Sequence, residues 1–190
     1  VRQVFARLVR ELEGELALDG RGKFLGLRVR TCVGLGAYTS TFAAIFSTMN
    51  TKNCLSSVYV VPAIHIGVKM VLTNAAPLGP YRGAGRPEAI YLIERLIDQA
   101  ARAMNIDRAV LRRRNMVASS AMPYAAPNGP IYDSGDFRTI LDRALALADW
   151  NGFKARRRSS QKAKRLRGIG IGCFLEVAGG ILDESVDLRF

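Results

Sequence analysis

Apolar residues recur at three- and four-residue steps along one long stretch of the chain and alternate with polar ones along several shorter stretches. The long pattern follows Gly85, where Ile90, Ile93, Ile97, Ala100 and Met104 fall on one face of a predicted helix. Pro87 suits the first helical turn, which does not need its missing N–H, and Glu88 meets the positive end of the dipole. Asn105 is a natural stop. Asp107 can cap a second, short helix whose last turn carries Arg112, Arg113 and Arg114 against the negative dipole end. Ser134 or Asp136 caps a third, with Ile140, Leu141, Ala144, Leu145 and Ala148 facing inward and Trp150 at its end.

Alternation marks the strands. Residues 15–17 and 24–33 predict a β-hairpin, with Asp19-Gly20 supplying the turn because glycine accepts a positive φ. In its second strand Leu25, Leu27 and Val29 should face the core, and Gly26, Arg28 and Arg30 the solvent. Residues 58–61 and 65–73, separated by Pro62, read as strands, as do residues 168–177. Residues 1–10 read as helical, with Phe5, Leu8 and Val9 as an apolar stripe among Arg2, Arg7 and Arg10. Residues 39–54 have no clear pattern, and residues 118–132, with Pro123, Pro127, Gly129 and Pro130, read as a loop. Helices and strands interleave without repeats, which predicts an α+β (mixed α/β) fold. The chain opens on Val1, and Val186, Leu188 and Phe190 alternate with Asp187 and Arg189 at its end, so both termini read as cut from something longer.

Composition narrows the classes. With 49% apolar and 23% charged residues over 190 positions, the chain can bury a core of ordinary size. No stretch approaches the roughly 20 apolar residues of a membrane span, so no membrane partner is expected. Cys32, Cys54 and Cys173 are odd in number and far apart, giving neither a disulfide framework nor a metal-ligand spacing; a reducing compartment, the cytoplasm, is the expectation. The single histidine, His65, excludes a His-based zinc triad; set in an apolar strand-like run it reads as a core or edge residue, with no Ser–His–Asp pattern around it beyond accident, and no GxxxxGK[ST] phosphate loop is present. The glycines of residues 168–172 lie in a strand-like run, where they are expected to permit close backbone packing. The net charge is +12, with eight cations between Lys154 and Arg167. That run raises the alternative of a nucleic-acid- or acidic-partner-binding module, beside which a non-catalytic relic fragment is the other alternative. No aromatic residue interleaves with the cations, so nucleic acid is the weaker choice.

Residues 73–89 stand apart. They run from a strand end through a glycine-rich loop into the N-terminus of the strongest helix. Unpaired N–H groups and the dipole would point at the loop, Gly83 and Gly85 would let backbone approach a ligand, and Arg82 and Arg86 would add positive charge. That is an anion site by physics, although a tight turn with two solvated arginines fits composition equally well.

The run Pro80-Tyr81-Arg82-Gly83-Ala84-Gly85-Arg86-Pro87-Glu88-Ala89 resembles the active-site loop of molybdenum hydroxylase large subunits, the family of xanthine dehydrogenase, aldehyde oxidase and carbon monoxide dehydrogenase. The likeness continues at Ile93-Glu94-Arg95-Leu96-Ile97-Asp98, Leu111-Arg112-Arg113-Arg114-Asn115-Met116, Tyr132-Asp133-Ser134-Gly135-Asp136-Phe137 and Arg167-Gly168-Ile169-Gly170. It covers residues 15 to about 180, and its Tyr-Arg-Gly-Ala-Gly-Arg loop is similar to the class of carbon monoxide dehydrogenase-like large chains. The resemblance implies a portion of a molybdopterin-binding domain: a poorly matching segment 1–14, a first subdomain portion 15–117 with its active-site loop 80–88, a loop 118–136, and the start of a second subdomain over 137–190.

It also implies a molybdenum–molybdopterin cofactor in its cytosine dinucleotide form, touched by Arg82 first and then by Tyr81, Gly83, Ala84 and Gly85. Iron–sulfur clusters would lie on a small subunit and FAD on a medium subunit, in a homodimer of the heterotrimer, acting on a small-molecule substrate with water as the oxygen source. Three departures shape the expectation. Gly83 stands where carbon monoxide dehydrogenases have a copper-binding cysteine. Ala84 stands where xanthine dehydrogenases have a stacking phenylalanine, and Asn50 falls near the place of their transition-state arginine. The family's glycine-rich cofactor loop and catalytic glutamate are expected outside these residues, so no catalytic residue and no protein metal ligand is assigned here, Glu176 included.

Overall fold

The computed structural model describes residues 2–7 and 10–176. Four strands form one sheet in the order β1-β2-β3-β4. β1 (Arg2–Arg7) pairs antiparallel with β2 (Arg10–Leu18), β2 antiparallel with β3 (Phe24–Gly34), and β3 parallel with β4 (Ile64–Val71). Within the helix expected over residues 1–10, residues 2–7 and Arg10 are therefore strand. A short isolated helix is dominated by its nucleation cost, whereas a ladder with β2 satisfies the same backbone groups at once. Leu8 and Val9 of the expected stripe lie outside the described residues.

The hairpin β2–β3 is where the alternation places it, and two details differ. The carboxylate of Asp19 accepts from the backbone N–H of Arg21 and of Lys23, at 2.8 Å each, so Asp19 closes the turn through its side chain. The left-handed residue is Gly22, at φ 80°, rather than Gly20. Next to the turn the register shifts, with Ala17 opposite Gly26 and Leu18 opposite Phe24, so Leu25 is the extra residue of a bulge and is 52% exposed. Phe24, Leu27 and Val29 are the buried face.

Parallel strands need a crossover. Residues 35–63 supply it, and they contain a continuous helical run of α1 (Ala43–Ile45), a π-helical turn (Phe46–Asn50) and α2 (Thr51–Cys54) where the sequence showed no pattern. The strand expected over residues 58–61 reduces to a single bridge between Tyr59 and Met116. Helix α3 (Arg86–Ala103) then crosses the inner face of the sheet. Gly14 on β2 is the contact point, since a Cβ there would come within 2.9 Å of both Leu92 and Leu96. Leu92, Ile93, Leu96 and Ile97 are fully buried, and burial stabilises each by roughly 1.5–3 kcal/mol.

Helix α4 (Arg108–Asn115) is capped by Asp107, whose carboxylate accepts from the N–H groups of Ala109 and Val110. Arg112 does not act as a terminal cation. It is completely buried, with Nε donating to Glu94 at 2.8 Å and Nη1 standing 2.9 Å from Asp98 as an ion pair without an aligned hydrogen bond. Tyr59 donates to the other Glu94 oxygen at 2.6 Å. Burial opposes the Arg112 charge, but Glu94, Tyr59 and Asp98 outweigh it and hold its pKa above the usual range.

Residues 118–132 contain a 3-10 turn (Ser119–Ala121) and a small hairpin of β5 (Tyr124–Ala125) and β6 (Ile131–Tyr132). Helix α5 (Phe137–Leu147) is capped by Asp136, and α6 (Phe153–Lys162) follows. The inward face expected of α5 is only partly buried: Phe137 and Leu141 are covered, while Ile140 is 65% exposed and Ala144 and Ala148 are open. They line an apolar groove of about 440 Å³ between α5 and residues 169–175. Residues 168–176 form no strand; their carbonyls are held by side chains, Ile169 by Arg108 and Ile171 by Arg112. Position 177 lies outside the described residues. Nor do their glycines permit close packing, because a Cβ at Gly168 or Gly170 would meet nothing within 4 Å. Among the described residues no helix is long and apolar enough to cross a membrane.

Replacing Arg112 by Met leaves Glu94 to the Tyr59 hydroxyl and Asp98 to the longer Arg108 and Arg95 contacts, and the expected loss is about 3 kcal/mol or more in chemical denaturation. Arg113→Met removes an exposed pair with Asp142 and should cost less than about 1 kcal/mol. Equal losses for the two would contradict the buried-pair account.

Candidate functional site

Between β4 and α3 the chain makes two overlapping turns. Ala84 N–H donates to the Tyr81 carbonyl at 2.7 Å, and Arg86 N–H to the Gly83 carbonyl at 3.0 Å. Gly83, Ala84 and Gly85 all lie in the left-handed region, at φ 100°, 46° and 89°. Glycine is required at two of the three. A Cβ at Gly85 would sit 2.2 Å from the Phe46 carbonyl oxygen, and one at Gly83 would sit 2.6 Å from the Pro87 ring. Ala84 keeps its Cβ in a conformation that costs roughly 1–2 kcal/mol.

That cost is offset from behind. Asn50 Nδ2 donates to the Ala84 carbonyl at 3.1 Å, and Thr51 Oγ1 to the Gly85 carbonyl at 3.4 Å and to the Phe46 carbonyl at 3.3 Å. Asn50 is 6% exposed and closes the π-helical turn. Neither residue could be found by periodicity, because each meets the loop across 34 positions of sequence.

The loop borders a cleft of about 560 Å³. Tyr81, Arg82, Ala84 and Gly85 line it, four of the five residues expected at a cofactor, and Gly83 faces a neighbouring cleft with Arg86. Tyr81 is 89% exposed and Arg82 is exposed beside it. The opposite wall is Phe46 and Ser47, which sequence reasoning missed because residues 39–54 carry no helical pattern. Of the amides of residues 81–85, only that of Ala84 has a hydrogen-bond partner among the described residues; those of Tyr81, Arg82, Gly83 and Gly85 have none. Arg86 is not a charge for an anion as expected: its Nε lies 3.0 Å from the Glu176 carboxylate. Glu176 thus holds the first residue of α3. Burial, and then the Glu176 charge, push the nearby Cys54 thiol up, which keeps it protonated.

The loop's amides, one guanidinium and small side chains make a donor set for an anionic organic group rather than for a bare metal ion, with Glu88 the one acid lining the cleft. Among the described residues no cluster of three His, Cys, Asp or Glu could hold a metal.

Residues 6–116 match the model of the molybdopterin cofactor-binding domain. The chain is 38% identical to the carbon monoxide dehydrogenase large chain of Hydrogenophaga pseudoflava over 182 residues, 93% of this chain and 23% of that one. It is 29% identical to the nicotine 6-hydroxylase large subunit of Paenarthrobacter nicotinovorans, over 87% of this chain and 20% of that one. Its fold superposes on quinoline 2-oxidoreductase from Pseudomonas putida 86 with a TM-score of 0.73 and 28% identity, covering 81% of this chain and 20% of that one. The chain thus spans about a quarter or less of the length of the relatives it matches.

Gly85→Ala places a methyl on the Phe46 carbonyl at positive φ, so it should destabilise by more than about 1 kcal/mol. Gly79→Ala, where a Cβ meets nothing within 4 Å, should be near neutral. Thermal unfolding distinguishes them, and similar midpoints would contradict the close approach.

Proposed function

The chain belongs to the molybdopterin cofactor-binding domain family, and from that premise we propose that it is a portion of a molybdenum hydroxylase large subunit in which the loop Tyr81–Gly85 forms one wall of the cofactor site. The carrying observation is the loop's position: four of its residues line one open cleft at the N-terminus of α3. A volume of about 560 Å³ fits a compact organic cofactor, for which sites of roughly 300–1,000 Å³ are usual. The unpaired amides of Arg82 and Gly85 and the guanidinium of Arg82 fit its anionic groups.

When bound, a molybdenum–pterin group supplies oxidative hydroxylation of a carbon centre with oxygen from water. The residues of this chain bind and orient. Arg82 would hold the cofactor through charge, Tyr81 would cover its open side, and Ala84 would leave room beside it. Gly83 has no side chain to hold a second metal, which favours a small heterocycle or an aldehyde as substrate over carbon monoxide. Relatives named for nicotine and quinoline support a heterocycle. On this reading the cofactor takes the cytosine dinucleotide form, and electrons leave to iron–sulfur clusters and FAD on small and medium companion subunits, in a paired heterotrimer in the cytoplasm. Residues 15–117 belong to a first cofactor subdomain, 118–136 are a connecting loop, and 137–190 open a second.

The 190 residues alone should not turn over substrate, since they span only 23% of a relative's length. In the assembled enzyme, Arg82→Ala should lower molybdenum and pterin per subunit several-fold, read by elemental analysis and pterin fluorescence after release. The isolated chain should hold far less than one metal per molecule. Undiminished molybdenum in Arg82→Ala would contradict the assignment, as would stoichiometric metal in the isolated chain.

A further inference from the structure

The side chain of Asn50 has one hydrogen-bond partner among the described residues, the carbonyl of Ala84. A buried side-chain amide with so little to do in the core is costly unless its one bond matters. We infer that Asn50 is a positioning residue for the cofactor loop, acting through the Ala84–Gly85 peptide to aim the unpaired amide of Gly85. This rests on the cofactor reading given above.

A trans peptide is planar, so the C=O of one residue and the N–H of the next point in opposite directions. Holding the Ala84 oxygen at Asn50 therefore turns the Gly85 N–H away from the π-helical turn. The neighbouring peptide behaves the same way. Thr51 holds the Gly85 oxygen, and the following N–H, that of Arg86, is found on the far side, donating to Gly83. Thus two adjacent side chains, Asn50 and Thr51, orient two adjacent peptides. The amide of Arg86 is consumed inside the turn, while that of Gly85 has no partner and its residue lines the cleft.

The π-helical turn explains why adjacent residues can do this. One extra residue per turn displaces the ladder and leaves carbonyls to side chains, as at Phe46, which accepts from Thr51 Oγ1. Such a turn brings positions 50 and 51 to one side, under the loop. Without Asn50 the Ala84 carbonyl loses its only side-chain partner among the described residues, and the turn bond from Ala84 N–H to Tyr81 is left to hold φ at 46°; relaxation to a negative φ would swing the Gly85 N–H out of its direction. Thr51 would still hold the next carbonyl, so the effect should be confined to one peptide.

The test uses the assembled enzyme. Hydrogen exchange of the peptide spanning residues 78–88 is measured in the cofactor-free form, together with molybdenum content, for the wild type, Asn50→Ala, Asn50→Asp and Arg82→Ala. Asn50→Ala should raise loop exchange about tenfold, the scale of one lost buried hydrogen bond, with α3 unchanged. Asn50→Asp is isosteric, and burial raises its pKa. Its protonated carboxyl can donate to Ala84 and its carboxylate cannot, so loop protection should return at pH 5 and vanish at pH 8 after correction for intrinsic exchange. The wild type should show no such dependence. Arg82→Ala should lose cofactor with wild-type loop exchange.

Wild-type protection in Asn50→Ala, or pH-independent protection in Asn50→Asp, would overturn the role of Asn50 while leaving the cofactor reading standing. Equal loosening of α3 would also overturn it, as a general loss of fold. A loosened loop with full molybdenum in every variant would keep the positioning role and sink the cofactor reading.

Discussion

Gly85 lies so close to the carbonyl of Phe46 that a methyl in its place would come within 2.2 Å of the oxygen, and the candidate site is organised around that approach. It sets the loop directly on the π-helical turn, and it forces the left-handed backbone that glycine tolerates. Asn50 and Thr51 come within reach of the loop carbonyls as a result. The loop is therefore not a tether between β4 and α3. It is a cap seated on the crossover of a parallel strand pair, with α3 leaving from its far side.

The placement of the loop depends in turn on α3 being fixed. The helix is held on one side by the sheet, through Gly14 against Leu92 and Leu96. On the other side, Arg112 binds Glu94 and Asp98, and its remaining donors reach the backbone of residues 108 and 171. Arg86, the first residue of the helix, is tied to Glu176. Residues 169–176 thus act as a strap secured by arginines, which explains why glycines there need no close neighbours.

Much of this was legible in the chain. The 3.6-residue apolar pattern locates α3, the Asp107 cap locates α4, and the alternation with Asp19 locates the β2–β3 hairpin, because each is a local regularity. The loop was legible through residue type and resemblance, and four of its five expected residues share a cleft. What was hidden is non-local. The π-helical turn has no period of its own, and Phe46, Ser47 and Asn50 become wall and support only when residues 80–85 return over them. The burial of Arg112 was hidden behind two neighbouring arginines. A signal existed: Glu94 and Asp98 sit one turn apart beside Ile93 and Ile97, and acids on an apolar face demand a buried cation. The bulge at Leu25 and the strand β1 depend on pairing partners that a single-strand pattern does not contain.

The account stands on the cleft beside Tyr81–Gly85 being where the pterin sits. An experimental structure of the molybdenum-loaded, assembled enzyme tests this most directly. The account predicts cofactor density in that cleft, with Arg82 and the Gly85 amide within hydrogen-bond reach of it. Density lodged elsewhere, with Arg82 directed to solvent and the cleft filled by another part of the polypeptide, would contradict it.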